Sequence, residues 1–123
     1  MCIRDSNGTG SEEGSHKTPL GRFLINEKHG YKAPVGTIFK GRRPSGIWLR
    51  EEDEGDLILS RILWLTGQDD ENANTKQRYI YIHGTNHEDK IGAPHSCGCI
   101  RMKNQDVVKL YDQVGLGTAV EIR

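Results

Sequence analysis

Residues 79–102 read YIYIHGTNHEDKIGAPHSCGCIRM. The opening YIYIH alternates bulky, β-prone side chains and reads as a strand over residues 79–83. It delivers His83 at the end of an apolar run, with Gly84 directly after. Sixteen positions on, Cys99 stands in a Ser-Cys-Gly-Cys turn, and Arg101 follows two residues later. A cysteine attacks carbonyls as its thiolate, which forms only beside a base or in an electropositive niche. A strand-borne imidazole facing a cysteine on a glycine turn supplies that base. The stretch therefore marks a candidate acyl-transfer site on a β framework.

Working outward, residues 57–65, LILSRILWL, are bulky and apolar with little helical period. They read as a buried strand, with helix as the competing assignment. Upstream, residues 22–27 and 37–40 read as short strands, and residues 41–46, GRRPSG, as a turn carrying exposed cations. Residues 47–50 read as a further strand. Thr18-Pro19-Leu20-Gly21 is a turn signal, residues 7–17 and 28–36 read as loops, and residues 66–78 as a surface excursion. Downstream, Asn104 is a candidate cap for a helix beginning near Gln105, in which Val107, Leu110, Tyr111 and Val114 share one face. Gly115 and Gly117 stop that helix, and residues 118–122 alternate as a terminal strand. The sum is a mainly β fold with one helix in the C-terminal half.

Composition bounds the rest. The chain has 123 residues, enough for one domain with a real core. Its 17 basic and 17 acidic side chains cancel, so it lacks the electrostatic footprint of a nucleic-acid binder. No run of about 18 apolar residues is present, and no membrane span is expected. Fifteen glycines favour many turns. Three cysteines are an odd count, not a disulfide framework. Residues 1–6, MCIRDS, read as translated sequencing adapter, so residues 7–123 are expected to be the domain, truncated at its N-terminus. The lack of an export signal is then uninformative about compartment.

Each candidate residue has a structural alternative. A lone histidine at a strand end is commonly a hydrogen-bonded structural residue. Gly84, however, allows a carbonyl to approach the His83 ring, accept the Nδ1 proton and leave Nε2 as base. Cys99 could be a small core residue, but its neighbours Ser96, Gly98 and Arg101 make an unusual core. Gly98 helps successive backbone N–H groups converge, as in an oxyanion hole. Arg101 could bind a substrate carboxylate or hold the thiolate, or form only a surface salt bridge. His83, His87, His95, Cys97 and Cys99 are possible metal ligands, but they lack the spacing of structural zinc sites, and no metal is expected. His87 and His95 read as solvated loop residues. His16 and His29 carry no pattern.

With these residues in place, nearly the whole chain after the leader resembles the L,D-transpeptidase catalytic domain, the YkuD family of bacterial cell-wall enzymes. The likeness rests on GSEEGSHKTPLG (residues 10–21), SRILWLTG (60–67), YIYIHGT (79–85), SCGCIRM (96–102) and the closing helix and strand (110–122). It implies a mixed β-sandwich or barrel-like sheet, a Cys99 nucleophile, a His83 base and a Gly84 carbonyl orienting the ring. It implies that Ser96, Cys97, Gly98 and Arg101 form the oxyanion and substrate-binding region, and that no cofactor is needed. The implied substrates are peptidoglycan stem peptides in the periplasm or cell envelope. The thiolate attacks the diamino-acid carbonyl of a tetrapeptide stem, D-alanine leaves, and a second amine resolves the thioester into a 3→3 cross-link. An L,D-carboxypeptidase and an inactive peptidoglycan-binding domain are alternatives on the same scaffold. Cys97 stands where the family usually has histidine. It keeps the backbone N–H but lacks the imidazole, and a Cys97–Cys99 disulfide would mask the nucleophile. A redox- or metal-responsive protein built on that pair is a further alternative.

Overall fold

The computed structural model describes residues 2–3, 20–50, 55, 57–91 and 99–122. Its strands in chain order are β1 (Cys2–Ile3), β2 (Gly21–His29), β3 (Thr37–Lys40), β4 (Arg43–Ile47), β5 (Ile58–Gly67), β6 (Tyr81–Gly84), β7 (Ile100–Met102) and β8 (Ala119–Ile122). The helix α1 (Asn104–Gln113) lies between β7 and β8. The expected mainly β architecture with one helix in the C-terminal half is what forms. The Thr-Pro turn and the loop before it, and the acidic residues 51–54, lie outside the described residues.

The apolar run in the middle of the chain is strand, and β5 is the spine of a mixed eight-stranded sheet. Leu59 pairs with Ile38 of β3 and Gly84 of β6, while Ile62 pairs with His29 of β2 and His83 of β6. A strand residue has only two edges, so β2 and β3 follow one another along one edge of β5 and β6 takes the other. The pairing register shifts between Leu59 and Ile62, where Ser60 has φ 73°. That bulge bends the spine. β6 and β7 then pair in parallel.

Side chains alternate across a strand, and here both faces are buried. Leu63, Leu65, Ile82 and Ile100 join Phe23, Ile25, Val120 and Ile122 in one core, closed by Val107 and Tyr111 of α1. Each such side chain contributes about 1.5–3 kcal/mol on burial. Ile62, Trp64, Tyr81 and Phe39 form a second cluster on the opposite face. Burial on both faces is why residues 57–65 show no clean alternation in sequence.

Five expectations change. The strand expected over residues 79–83 begins only at Tyr81 and runs to Gly84, because Tyr79 sits in a turn with a left-handed φ of 55°. β2 extends to His29, beyond the expected Glu27, because its last residues pair with Ile62 and Leu63. Residues 43–47 form β4 where a turn was expected, and the strand expected over 47–50 ends at Ile47. The reason is the two-residue connection Gly41-Arg42, with φ of 56° and 66°, a hairpin turn that lets Arg43 pair directly with Lys40. The excursion after β5 is not all surface. Asn72 and Thr75 are fully buried, and Asn72 Nδ2 donates to the carbonyls of Leu20 and Arg22 at 3.0 and 3.2 Å. Finally, Asn104 is the first helical residue and Lys103 is the cap. The helix start is instead satisfied across the chain, where Asn104 N–H donates to Glu88 Oε2 at 3.0 Å. A carboxylate suits that position, because helix N-termini carry exposed N–H donors and partial positive charge.

Candidate active site

The parallel register sets His83 opposite Arg101 and Ile82 opposite Ile100. Because Ile82 and Ile100 face the α1 core, His83, Tyr81 and Arg101 face the other way. One step back along that register lies Cys99, half-buried immediately before β7 and packed against the Phe39, Ile62, Trp64 and Tyr81 cluster. His83 and Cys99 therefore share one sheet face, diagonal to each other across adjacent strands.

His83 is 2% exposed, and its Nδ1 lies 2.6 Å from the Gly84 carbonyl oxygen. A carbonyl only accepts, so Nδ1 carries a proton, and in the neutral ring the lone pair is then on Nε2. The carbonyl expected from sequence to orient the ring is thus in contact with it. Gly84 itself has no room for a side chain, since an added Cβ would overlap Asn104 Oδ1 and stand 2.6 Å from the Leu59 carbonyl.

Asn104 is the buried bracket behind this corner. Its Oδ1 accepts from Ser60 Oγ at 2.7 Å, and its Nδ2 donates to the Thr85 carbonyl at 2.8 Å. Ser60 Oγ in turn accepts from Gly36 N–H at 2.9 Å. The bulge of β5, the end of β6 and the start of α1 are thereby fixed to one another around the histidine.

Cys99 rests on the backbone of the strand beside it. Tyr81 N–H donates to Sγ at 3.4 Å, and Sγ is 3.3 Å from the Tyr79 carbonyl, which accepts the thiol proton. The first contact favours a thiolate and the second a thiol. Tyr79 has φ 55°, a left-handed conformation uncommon for an aromatic residue. Its ring stacks on Trp64 with centroids 5.5 Å apart, and Tyr81 meets Trp64 edge-on at 5.6 Å. Arg42 reaches in from the β3–β4 turn, donating to the Tyr81 hydroxyl at 3.0 Å with its guanidinium 4.6 Å from the Trp64 ring centre. Burial pushes the Tyr81 phenol above its ordinary range, against the opposing pull of Arg42.

Of the remaining expected site residues, Arg101 is on this face but 2% exposed, which removes the surface salt-bridge alternative. Ser96, Cys97, Gly98 and His95 lie outside the described residues. His87 is not simply solvated, because its Nε2 is 2.8 Å from the Gly55 carbonyl and its N–H donates to Thr85 Oγ1. Among the described residues no group of three or more His, Cys, Asp or Glu could hold a metal ion. No helix among them is long and apolar enough to cross a membrane.

Comparison with known proteins decides the relationship. The family model for the L,D-transpeptidase catalytic domain, YkuD, matches residues 4–122. The chain belongs to this family. It is 48% identical over 48 residues to the putative L,D-transpeptidase YqjB of Bacillus subtilis, a match covering 39% of this chain and 27% of that protein. It is 52% identical over 48 residues to the putative L,D-transpeptidase YkuD of the same organism, covering 39% and 29%. Against the probable L,D-transpeptidase ErfK/SrfK of Salmonella typhimurium it is 49% identical over 45 residues, covering 37% and 15%. Each match thus spans less than a third of the relative's length. An L,D-transpeptidase from Mycobacterium smegmatis superposes with a TM-score of 0.57 at 17% identity, covering 98% of this chain and 48% of that one. At that identity the likeness speaks for the fold alone.

Within this L,D-transpeptidase domain, sequence reasoning missed Ser60, Asn104, Arg42 and the Tyr81 backbone. Ser60-Arg61 is a polar break inside the apolar run LILSRILWL, and that interruption is the one sequence sign of the bulge. Nothing local to Asn104 or Arg42 announces partners that come from residues 16 to 44 positions away.

Proposed function

We propose that the chain is a cysteine acyltransferase of the cell envelope that forms 3→3 cross-links between peptidoglycan stem peptides. The observation that supports this reading best is the His83 Nδ1–Gly84 carbonyl contact at 2.6 Å, with the ring on the same face as Cys99. It leaves Nε2 as the proton acceptor for a neighbouring thiol.

In the first half-reaction, His83 Nε2 takes the Cys99 proton, and the thiolate adds to the diamino-acid carbonyl carbon of a tetrapeptide stem. The tetrahedral adduct collapses by breaking the C–N bond. The imidazolium returns its proton to the departing amine, so D-alanine leaves and a thioester remains. In the second, Nε2 takes a proton from an acceptor amine, whose nitrogen displaces sulfur, and Cys99 regains its proton from His83. Backbone N–H groups around residues 97–99 are assigned to the adduct's oxyanion, a contribution typically of about 2.7–4 kcal/mol per donor. Arg101, beside His83 in the register, adds positive charge that favours the thiolate.

The test is incubation with tetrapeptide muropeptides, followed by mass spectrometry. Cross-linked dimer is the expected product, and it requires Cys99. Release of D-alanine without dimer would show water as acceptor, making the protein an L,D-carboxypeptidase. Absence of both products would leave a binding domain.

A further inference from the structure

Arg42 occupies a position that its local conformation disfavours. It has φ 66° as the second residue of a two-residue hairpin turn, where glycine or asparagine is the usual occupant. Strain of this kind persists where surrounding contacts impose it, and it concentrates at ligand-binding sites. The contacts are specific. Nη1 donates to the Tyr81 hydroxyl at 3.0 Å, and the guanidinium lies over both Trp64 and Tyr79, at 4.6 and 5.7 Å from the ring centres. Tyr81 is the residue whose backbone N–H holds Cys99 Sγ.

The charge of Arg42 is left uncommitted. The Tyr81 hydroxyl is its one hydrogen-bond acceptor among the described residues, although a guanidinium has five N–H donors. No carboxylate pairs with it among those residues. Glu27, whose charge is felt at Arg42, is itself held by Lys76 and His29, each at 3.2 Å. Arg101 is 2% exposed, so it offers a ligand almost no surface, whereas Arg42 is only half-buried. A planar, stacked, half-exposed guanidinium with open donors suits bidentate capture of a carboxylate.

The chemistry of the proposed reaction places one such carboxylate here. The leaving residue's carboxylate is three bonds from the attacked carbon, and main-chain repeats across a trans peptide measure about 3.8 Å. A scissile carbonyl at Cys99 therefore keeps that carboxylate within about one residue's length of the sulfur, and Tyr81, which donates to Sγ and accepts from Arg42, joins the two groups. Resting on the acyl-transfer reading above, we infer that Arg42 is a specificity residue that binds the terminal carboxylate of the acyl donor. It selects stems ending in a free D-amino acid and holds that end while the C–N bond breaks.

The experiment compares two tetrapeptide donors, one with a terminal carboxylate and one with the same terminus amidated. Release of D-alanine or its amide is followed by mass spectrometry with wild type, Arg42→Ala and Arg42→Lys. Wild type is expected to favour the carboxylate by roughly 10- to 100-fold in kcat/KM, the size of a charged hydrogen-bond contribution. Arg42→Ala should lose most of that preference, and Arg42→Lys should keep part of it. The readout is the ratio of the two donors' rates within each protein, because Arg42 also donates to Tyr81 beside Cys99, and circular dichroism reports that the fold is intact. Equal slowing of both donors by either substitution, or a wild type indifferent to the terminus, overturns the assignment while the enzymatic reading stands. A wild type inert toward both donors overturns the enzymatic reading and the assignment with it.

Discussion

Gly84 lies against Asn104 so closely that a methyl group on the glycine would overlap the asparagine Oδ1. The same glycine carries the carbonyl in contact with His83 Nδ1. Gly84→Ala should therefore cost about 1–3 kcal/mol, as overpacking does, and lower the melting temperature by several degrees. Acylation should fall further than stability alone explains, because the ring loses its orientation. Thermal denaturation and single-turnover acylation, measured on one preparation, check both halves.

Asn104→Ala removes the acceptor of the Ser60 hydroxyl proton and a donor to the Thr85 carbonyl, both buried. Losing hydrogen bonds at buried polar groups costs about 1–3 kcal/mol. Urea unfolding should show a lower midpoint at an unchanged slope. A loss smaller than that of an ordinary surface substitution would mean that Asn104 does not brace the corner.

His83→Asn keeps a polar side chain but removes the base. Acylation of Cys99 should slow by roughly 10²- to 10⁴-fold. The wild-type rate should also fall on the acid side as the imidazole protonates, and that limb should vanish in the variant. A pH–rate profile that looks the same in both proteins would count against His83 as the proton acceptor.

Asp69 gives a pH dependence of stability. Its carboxyl accepts from the Arg22 backbone N–H at 2.9 Å and from the Arg22 guanidinium at 2.7 Å, and these contacts hold it below the ordinary carboxylate range. A carboxyl whose folded pKa is depressed stabilises fully above its unfolded value, about 3.9. That contribution is lost as pH falls through the lower folded value. Asp69→Asn should lower denaturant stability modestly at neutral pH, where the contribution is present in full and is kept small by the exposed Arg22 partner, and should leave it nearly unchanged below the folded pKa, so that the acid limb flattens.

The legible parts of the molecule were those written in local pattern. YIYIH announced the strand that carries His83, though it begins only at Tyr81, the 107-110-111-114 face showed its helical period, and His83 next to Gly84 showed a ring beside a small residue. What stayed hidden came from partners distant in sequence. Asn104 looked like a helix cap because nothing near it revealed Ser60 or Thr85, and Glu88 took the cap's task from 16 residues upstream. Residues 41–46 looked like one turn because Arg42 is not a residue that left-handed backbone normally selects. Its stacking on Trp64 supplies the reason only once the sheet has brought them together. Asn72 looked exposed because its two carbonyl partners lie about 50 residues away.

In the proposed mechanism Cys99 carries the acyl group with His83 as its base. Intact-protein mass spectrometry after brief exposure to a tetrapeptide stem under reducing conditions tests this. A mass increase equal to the stem minus D-alanine is expected on Cys99, absent from Cys99→Ala and strongly delayed in His83→Asn. Release of D-alanine by Cys99→Ala at the wild-type rate would contradict it.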